Sequence, residues 1–493
     1  MKLKFIYAFG LMGLLTALSA CHREYLNPAP QNSVSDVSAF STSARISNQV
    51  PSLYASLKNG GFYGGRYIVY GDIRGEDFLA QDPNLVTNYD VWFLNPTNTA
   101  SSVKGLWLQA YQVINACNVF IDGMNSKGLS VVGNTIGNAY LGEAKLIRAI
   151  AYYSLLQFYA RPYSDGNGTK PGLPLRLTGI LGAGLSDVAR SSVADVYAQI
   201  LSDLDFAETN LPLTNATTAA SMANVTRAHR NTAISLKTRV YLSMQKYDKV
   251  IEEANKIVPT NAPYTAKSGV ANALIADYAT IFKSPYLTAE SILSMPFTSN
   301  ASDAPGTQND LRSYFYAATN GVGSIFSLNP SGVIGNAGWL KTDTRRSLID
   351  TSKATANLGK IYLKKYPTAT PSDYVIVMRW AEVLLNLAEA RVRNTNTVDA
   401  QTIALLNAVH GRSDAFTVFT AGNFATSANL INAILTERRI EFLGEGLRNN
   451  DLMRLLQTIP AKGVATSRAP SEDGYIWPAS SDEKALNKLW GDQ

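Results

Sequence analysis

Cysteine is nearly absent from this chain: two occur in 493 residues, Cys21 and Cys117, in unrelated contexts. That excludes a disulfide framework and a multi-thiolate metal site. Histidine is also scarce, with His22, His229 and His410 the only three, so imidazole chemistry has little to work with. Charged residues make up 17%, no basic run occurs, and the formal charge of +6 includes Lys2 and Lys4 of the leading segment. Nucleic acid is therefore not an expected partner. No H-E-x-x-H, G-x-S-x-G, Walker A or G-x-G-x-x-G pattern occurs, which removes the usual support for metalloprotease, hydrolase and nucleotide readings. Asp165, Asn167 and Thr169 have the alternate spacing of a calcium loop, but Lys170 and Arg176 stand where glycine and a bidentate glutamate belong. The segment reads as a turn, and neither a metal nor a cofactor is expected.

What is present is apolar and aromatic. Hydrophobic residues are 46% and aromatics 10%, with 25 tyrosines, enough to bury a large core and to exclude disordered and fibrous classes. The length suits roughly two to four domains or one repeat-built body.

Lys2 and Lys4 precede an uncharged apolar stretch from Phe5 to Ala20, shorter than a comfortable membrane span. It reads as a cleaved export signal, and Leu18-Ser19-Ala20-Cys21 resembles a bacterial lipobox. Cys21 is then the lipidated mature N-terminus, and several acyl chains on it hold a membrane where one would hold only marginally. The polar stretch that follows, with Pro28 and Pro30, reads as a tether. Cys117 lies in a helical apolar pattern and reads as a small buried residue.

Apolar spacing is helical from Ser102 to about Ile257. One helix carries Trp107, Tyr111, Ile114 and Val119, and a second runs from Leu141 to Tyr159. Ser192 is an expected N-cap for a third. Ala228–Met244 and Tyr247–Val258 form a tight pair of the tetratricopeptide kind. From about Asn261 to Pro371 the period fades among Gly, Asn, Ser, Thr and Pro, and the aromatics there favour a functional loop region. Helical pattern is expected again over Val375–Arg393, with Glu389 and Arg393 outside, then over Val398–His410 and Leu430 to about Gln457. The boundaries expected are a signal at 1–20, a tether at 21–40, a helical region at 41–260, a loop-rich segment at 261–371 and a helical region at 372–493.

Glu437, Glu441 and Glu445 fall at i, i+4 and i+8 on one helix face. A glycosidase needs two carboxyls flanking a sugar, which one helix face does not supply. Structural ion pairs are the expected role, with Arg438 and Arg448 each three positions from a glutamate.

At this point the motifs resemble the SusD/RagB family of surface nutrient-binding lipoproteins. Tyr25-Leu26-Asn27-Pro28 is similar to its start, and Gly142 to Ala149 to its glutamate–alanine–arginine helix. Arg379 to Ala390, Glu437 to Phe442 and Glu445 to Arg448 are the most specific matches, with Leu447 standing where histidine is usual. The resemblance implies a mostly α fold. In it a tetratricopeptide-like helix-pair scaffold carries long irregular loop-rich segments and few short strands. It further implies an outward-facing lipoprotein of the outer membrane that binds a polysaccharide or oligosaccharide without chemistry. Its partner would be a TonB-dependent SusC-like transporter, over which it acts as a lid. The alternative is a peptide-binding lid of a RagAB-like importer.

Sugars offer flat C–H faces ringed by hydroxyls, so a site needs aromatic platforms and nearby polar groups on loops. Tyr67–Asn98 fits best, with Tyr70, Asp72, Arg74, Tyr89, Trp92, Asn95 and Asn98 as candidate ligand-binding residues, and Trp92 as the expected exposed platform. Tyr316 and Trp339 in the later loops form the second candidate group.

Overall fold

The computed structural model describes residues 36–182, 187–306, 308–316, 324–370 and 372–491. The expected signal, Cys21 and nearly all of the tether lie outside the described residues. Among the described residues no helix is long and apolar enough to cross a membrane.

Eight helices form the scaffold: Ser101–Gly123, Asn134–Tyr159, Val193–Asn210, Arg230–Ser243, Tyr247–Ile257, Trp380–Thr395, Ala400–His410 and Ser427–Glu441. Neighbours in this order pack on one another, as in a stack of helix hairpins, and the last lies mainly on Trp380–Thr395. The expected cap is present. The Ser192 hydroxyl accepts from the Asp195 N–H at 3.1 Å while the Asp195 carboxylate accepts from the Ser192 N–H, satisfying two otherwise orphaned donors. One long core runs beneath, joining Trp107, Phe158, Tyr159 and Trp477 from distant parts of the chain.

The strands are short: β1 (Phe78–Ala80), β2 (Pro171–Pro174), β3 (Arg190–Ser192), β4 (Ser291–Met295), β5 (Phe326–Leu328), β6 (Ile349–Thr351), β7 (Ile361–Leu363) and β8 (Val375–Arg379). They form one sheet in the order β1-β5-β7-β6 and two antiparallel pairs, β2-β3 and β4-β8.

Three local expectations are corrected. Val375–Arg379 is a strand, not the start of a helix, because β4 offers an edge to which this β-branched run pairs. The helix begins only at Trp380. The helix expected from Leu430 to Gln457 breaks after Glu441 and resumes at Arg448. Gly444 and Gly446 between them have φ of 82° and 80°, a region that side chains disfavour. Glu389, expected outside, is fully buried and is held by both terminal nitrogens of Arg454 at 2.7 Å. Asp165 of the calcium-like spacing accepts from Arg161 at 2.6 Å within a turn.

Candidate functional site

The Arg66–Ile73 helix and the strand after it carry several residues expected at a ligand, and most of them turn inward. Tyr70 is buried against Phe158 and Trp477, and its hydroxyl donates to Asn88 at 3.3 Å. The Asp72 carboxylate accepts from the Gly446 N–H at 2.8 Å, and burial pushes its pKa well above the usual carboxylate range. Arg74 donates to the Tyr475 carbonyl at 2.6 Å, and burial lowers it to about 10. These three polar groups tie the first part of the chain to the last, and none faces solvent. The expectation that they meet a ligand directly is therefore corrected. A buried polar group must find a partner or lose stability, and the partners of Asp72 and Arg74 lie hundreds of residues away in sequence, while Tyr70 finds Asn88 close by.

Trp92 is also corrected. It is only 3% exposed, and its indole N–H donates to the Phe78 carbonyl at 2.8 Å. Gly463, at the tip of a hairpin closed by Ile459 and Arg468, has a φ of 51° and sits on the edge of the Trp92 ring. A Cβ there would lie 3.2 Å from it. Beside it Lys462 is buried and donates to the carbonyls of Ile73, Arg74 and Gly75 at 2.5 to 2.8 Å. Nothing in the polar composition of the tail signalled that this hairpin closes over Trp92.

What faces outward lies on the same short helix, Tyr89–Trp92, and just beyond it. Asn88 enters it in the left-handed region at φ 70°, and the Asn84 side chain caps the preceding turn. Tyr89 and Phe93, four positions apart on one helix face, stack with centroids 5.7 Å apart and planes 16° from parallel. Both are half-buried, each backed by the interior. Beyond them Asn95 is exposed and Asn98 half-buried. The Tyr89 hydroxyl and both side-chain amides have no hydrogen-bond partner among the described residues. The surface therefore combines a flat aromatic face with unused donors and acceptors. That combination suits a ligand with apolar ring faces edged by hydroxyls.

The second candidate group adjoins the first, since the Asn88 amide donates to the Tyr314 hydroxyl at 2.6 Å and Phe315 packs on Phe78. Tyr316 is 8% exposed, and its hydroxyl donates to Asp350 of β6 at 2.5 Å. Trp339 is buried beneath the Arg346 guanidinium, 4.7 Å from its ring centre. Neither ring offers an open face, so the expected second platform is corrected too.

The acidic helix face is a buried ionic cluster. Arg379 reaches Glu441 at 2.5 Å, Glu445 at 2.8 Å and Glu290 at 2.8 Å. Arg345 reaches Glu437 and Glu441, Lys365 reaches Glu445, and Arg412 reaches Glu290 and Glu441. Burial alone would raise the Glu441 carboxyl, but Arg412, Arg379 and Arg345 outweigh it and hold the group far below the usual range. The relieving charges differ from those expected. Arg438 pairs with Asp451 and Arg448 with Glu76, while residues distant in sequence serve the glutamates. Glu437, Glu441 and Glu445 are thus saturated and closed to solvent, which leaves none of them poised as a general acid or base.

The family model described as SusD family matches residues 305–488, and one described as starch-binding associating with outer membrane matches residues 24–242. A SusD-like protein of Formosa agariphila is 21% identical over 503 aligned positions, covering 94% of this chain and 93% of that one. A crystal structure of a SusD superfamily protein from Bacteroides fragilis shares 32% identity and a TM-score of 0.80, covering 92% of this chain and all of the other. The surface glycan-binding protein A of Bacteroides thetaiotaomicron, solved with laminarihexaose, has the same fold. Its TM-score is 0.69 at 17% identity, over 91% of this chain and 98% of that one.

Proposed function

This chain belongs to the SusD family, and from that premise we propose that it is a lipoprotein of the outer membrane, facing outward. In this reading it binds a polysaccharide or its oligosaccharides and passes them to a TonB-dependent transporter that it covers. Lipidation is assigned to Cys21 and ligand contact to Tyr89, Phe93, Asn95 and Asn98, with Trp92 as the support beneath. The observation that carries the reading is the stacked Tyr89–Phe93 pair edged by unused amides. A pyranose lies flat on such a surface, and aromatic contact of this kind contributes on the order of 1 kcal/mol beyond burial of area. No catalysis is assigned, since the acid cluster of the chain is consumed by ion pairs.

The test is retention of the purified protein in native gels cast with laminarin, starch and other polysaccharides, with release of reducing ends measured in parallel. Retention by at least one glycan without hydrolysis is expected. Binding of peptides and of no glycan would reverse the ligand class, and turnover abolished by Glu441→Gln would overturn the non-catalytic assignment.

A further inference from the structure

Two adjoining grooves share the wall formed by the Ser101–Gly123 helix and the loop at 176–181, and the second reaches the edge of the Tyr89 surface where the Ser481 N–H donates to the Asn98 carbonyl. The first, about 780 Å³, runs from Phe40 and Gln49 to Val119 and Leu181. The second, about 340 Å³, has Trp107 and Tyr111 in its lining and Leu108, Ile180 and Leu486 at its border. Aliphatic exposure concentrates here: Leu108 is 54%, Leu181 66% and Leu486 72% accessible. Clustered exposed aliphatics of this kind mark an interaction surface.

Most of the polar lining of the second groove is spent within the protein, which makes it a poor match for a sugar. Asn115 exchanges both its amide groups with Ile180, Asn118 spends its own on Arg148 and the 176–178 backbone, and Glu483 holds Arg176 and Trp107. A carbohydrate needs unused donors and acceptors, which the Tyr89 surface has and this groove lacks. Three cations border the grooves without an ion pair to any described residue, Arg45 and Lys127 in the lining of the first and Lys488 next to Asn487 of the second, while the one carboxylate in the lining of the first, Asp122, accepts from the Gly179 N–H. The described chain begins at Asp36, beside Ala39 and Phe40 of the first groove. Only the 15 residues Cys21–Ser35 separate it from the proposed anchor, a reach of at most about 50 Å.

We infer that this double groove docks a membrane-embedded protein that offers protruding aliphatic side chains bordered by carboxylates. The inference rests on the anchored, transporter-covering role proposed above and adds the face through which contact is made. Leu108, Leu181 and Leu486 form the border of the contact, and Lys127 and Lys488 meet its acidic edge.

A photo-crosslinking residue placed at Leu108, Leu181 or Leu486 of the full-length lipidated protein, in its own outer membrane, tests this. Phe416, exposed on a different loop, serves as the control position. Adducts with one integral outer-membrane protein from the three groove positions, and none from the control, are expected. Leu108→Glu with Leu486→Glu should lower co-isolation of that protein at least tenfold while melting and polysaccharide retention stay unchanged. Adducts to that protein from Phe416 alone would overturn the docking face and leave the transporter role standing. Adducts only to a second copy of this chain or to lipid would overturn the inference in the same way. Absence of any integral-protein adduct from all four positions would overturn the inference and the transporter role together.

Discussion

Around Glu441 every charged group meets an opposite charge of the protein itself, and water is shut out. Around Tyr89 the aromatic faces are half open, and the hydroxyl and the Asn95 and Asn98 amides have no protein partner. One region is built of ionised side chains and the other of neutral aromatics and amides, and they differ above all in what satisfies their polar groups. Polar groups satisfied internally fix the fold, whereas polar groups left unsatisfied at a surface are available to a ligand. Family signature residues such as Arg379, Glu441 and Glu445 belong to the first kind, which is why they identify the fold and reveal little about what is bound.

The comparison breaks most visibly at the ionic cluster. Glu441→Ala removes the carboxylate shared by Arg379, Arg345 and Arg412 and leaves the buried cluster with excess positive charge, and a loss of about 3 to 5 kcal/mol is expected. Calorimetry should record a much lower melting temperature, with glycan retention intact below it. Trp92 tests the boundary between the regions. As a buried ring with a satisfied N–H it behaves as core, so Trp92→Ala should cost about 3 kcal/mol of stability, read as a shift in denaturant midpoint. Near-native melting with abolished retention would instead return Trp92 to the ligand.

Acid sharpens the same contrast. Burial lowers His229 in the scaffold from 6.5 to about 4. With its folded pKa below the unfolded one, its contribution is whole above about pH 6.5 and is lost as pH falls toward 4, a decline of about 3 kcal/mol. Chemical denaturation across that range should show the decline, and His229→Gln should flatten it. Retention measured at pH 5 should hardly change, because Asn95 and Asn98 carry no titratable group. The smallest effect is at the surface itself. Tyr89→Ala should weaken glycan binding by about 1 kcal/mol, roughly fivefold, and Asn95→Ala by less, with melting unchanged in both. Equal losses of binding and stability in Tyr89→Ala would erase the distinction between the two regions.

Most of the scaffold was legible because helical periodicity and the Ser192 cap are local signals carried by neighbouring residues, although the break at Gly444 and Gly446 was read through as continuous helix. The Val375–Arg379 strand was not, because its pairing edge comes from β4, far earlier in the chain. The candidate site was half legible. The Tyr67–Asn98 segment announced itself by aromatics among turn residues, and within it Tyr89, Asn95 and Asn98 do face outward. Sequence could not separate them from Tyr70, Asp72, Arg74 and Trp92, which have the same composition and the same neighbours. That separation depends on Gly446, Tyr475 and the Lys462–Gly463 hairpin, which arrive from the other end of the chain.

The sequence by itself therefore determined the helix-pair scaffold, the family to which it belongs and the segment in which to search for ligand contacts, since each is written in short-range spacing and motif. Only the tertiary structure decided which side chains of that segment are core and which are surface. Burial is set by what packs on top of a residue, and here the covering parts lie hundreds of residues away.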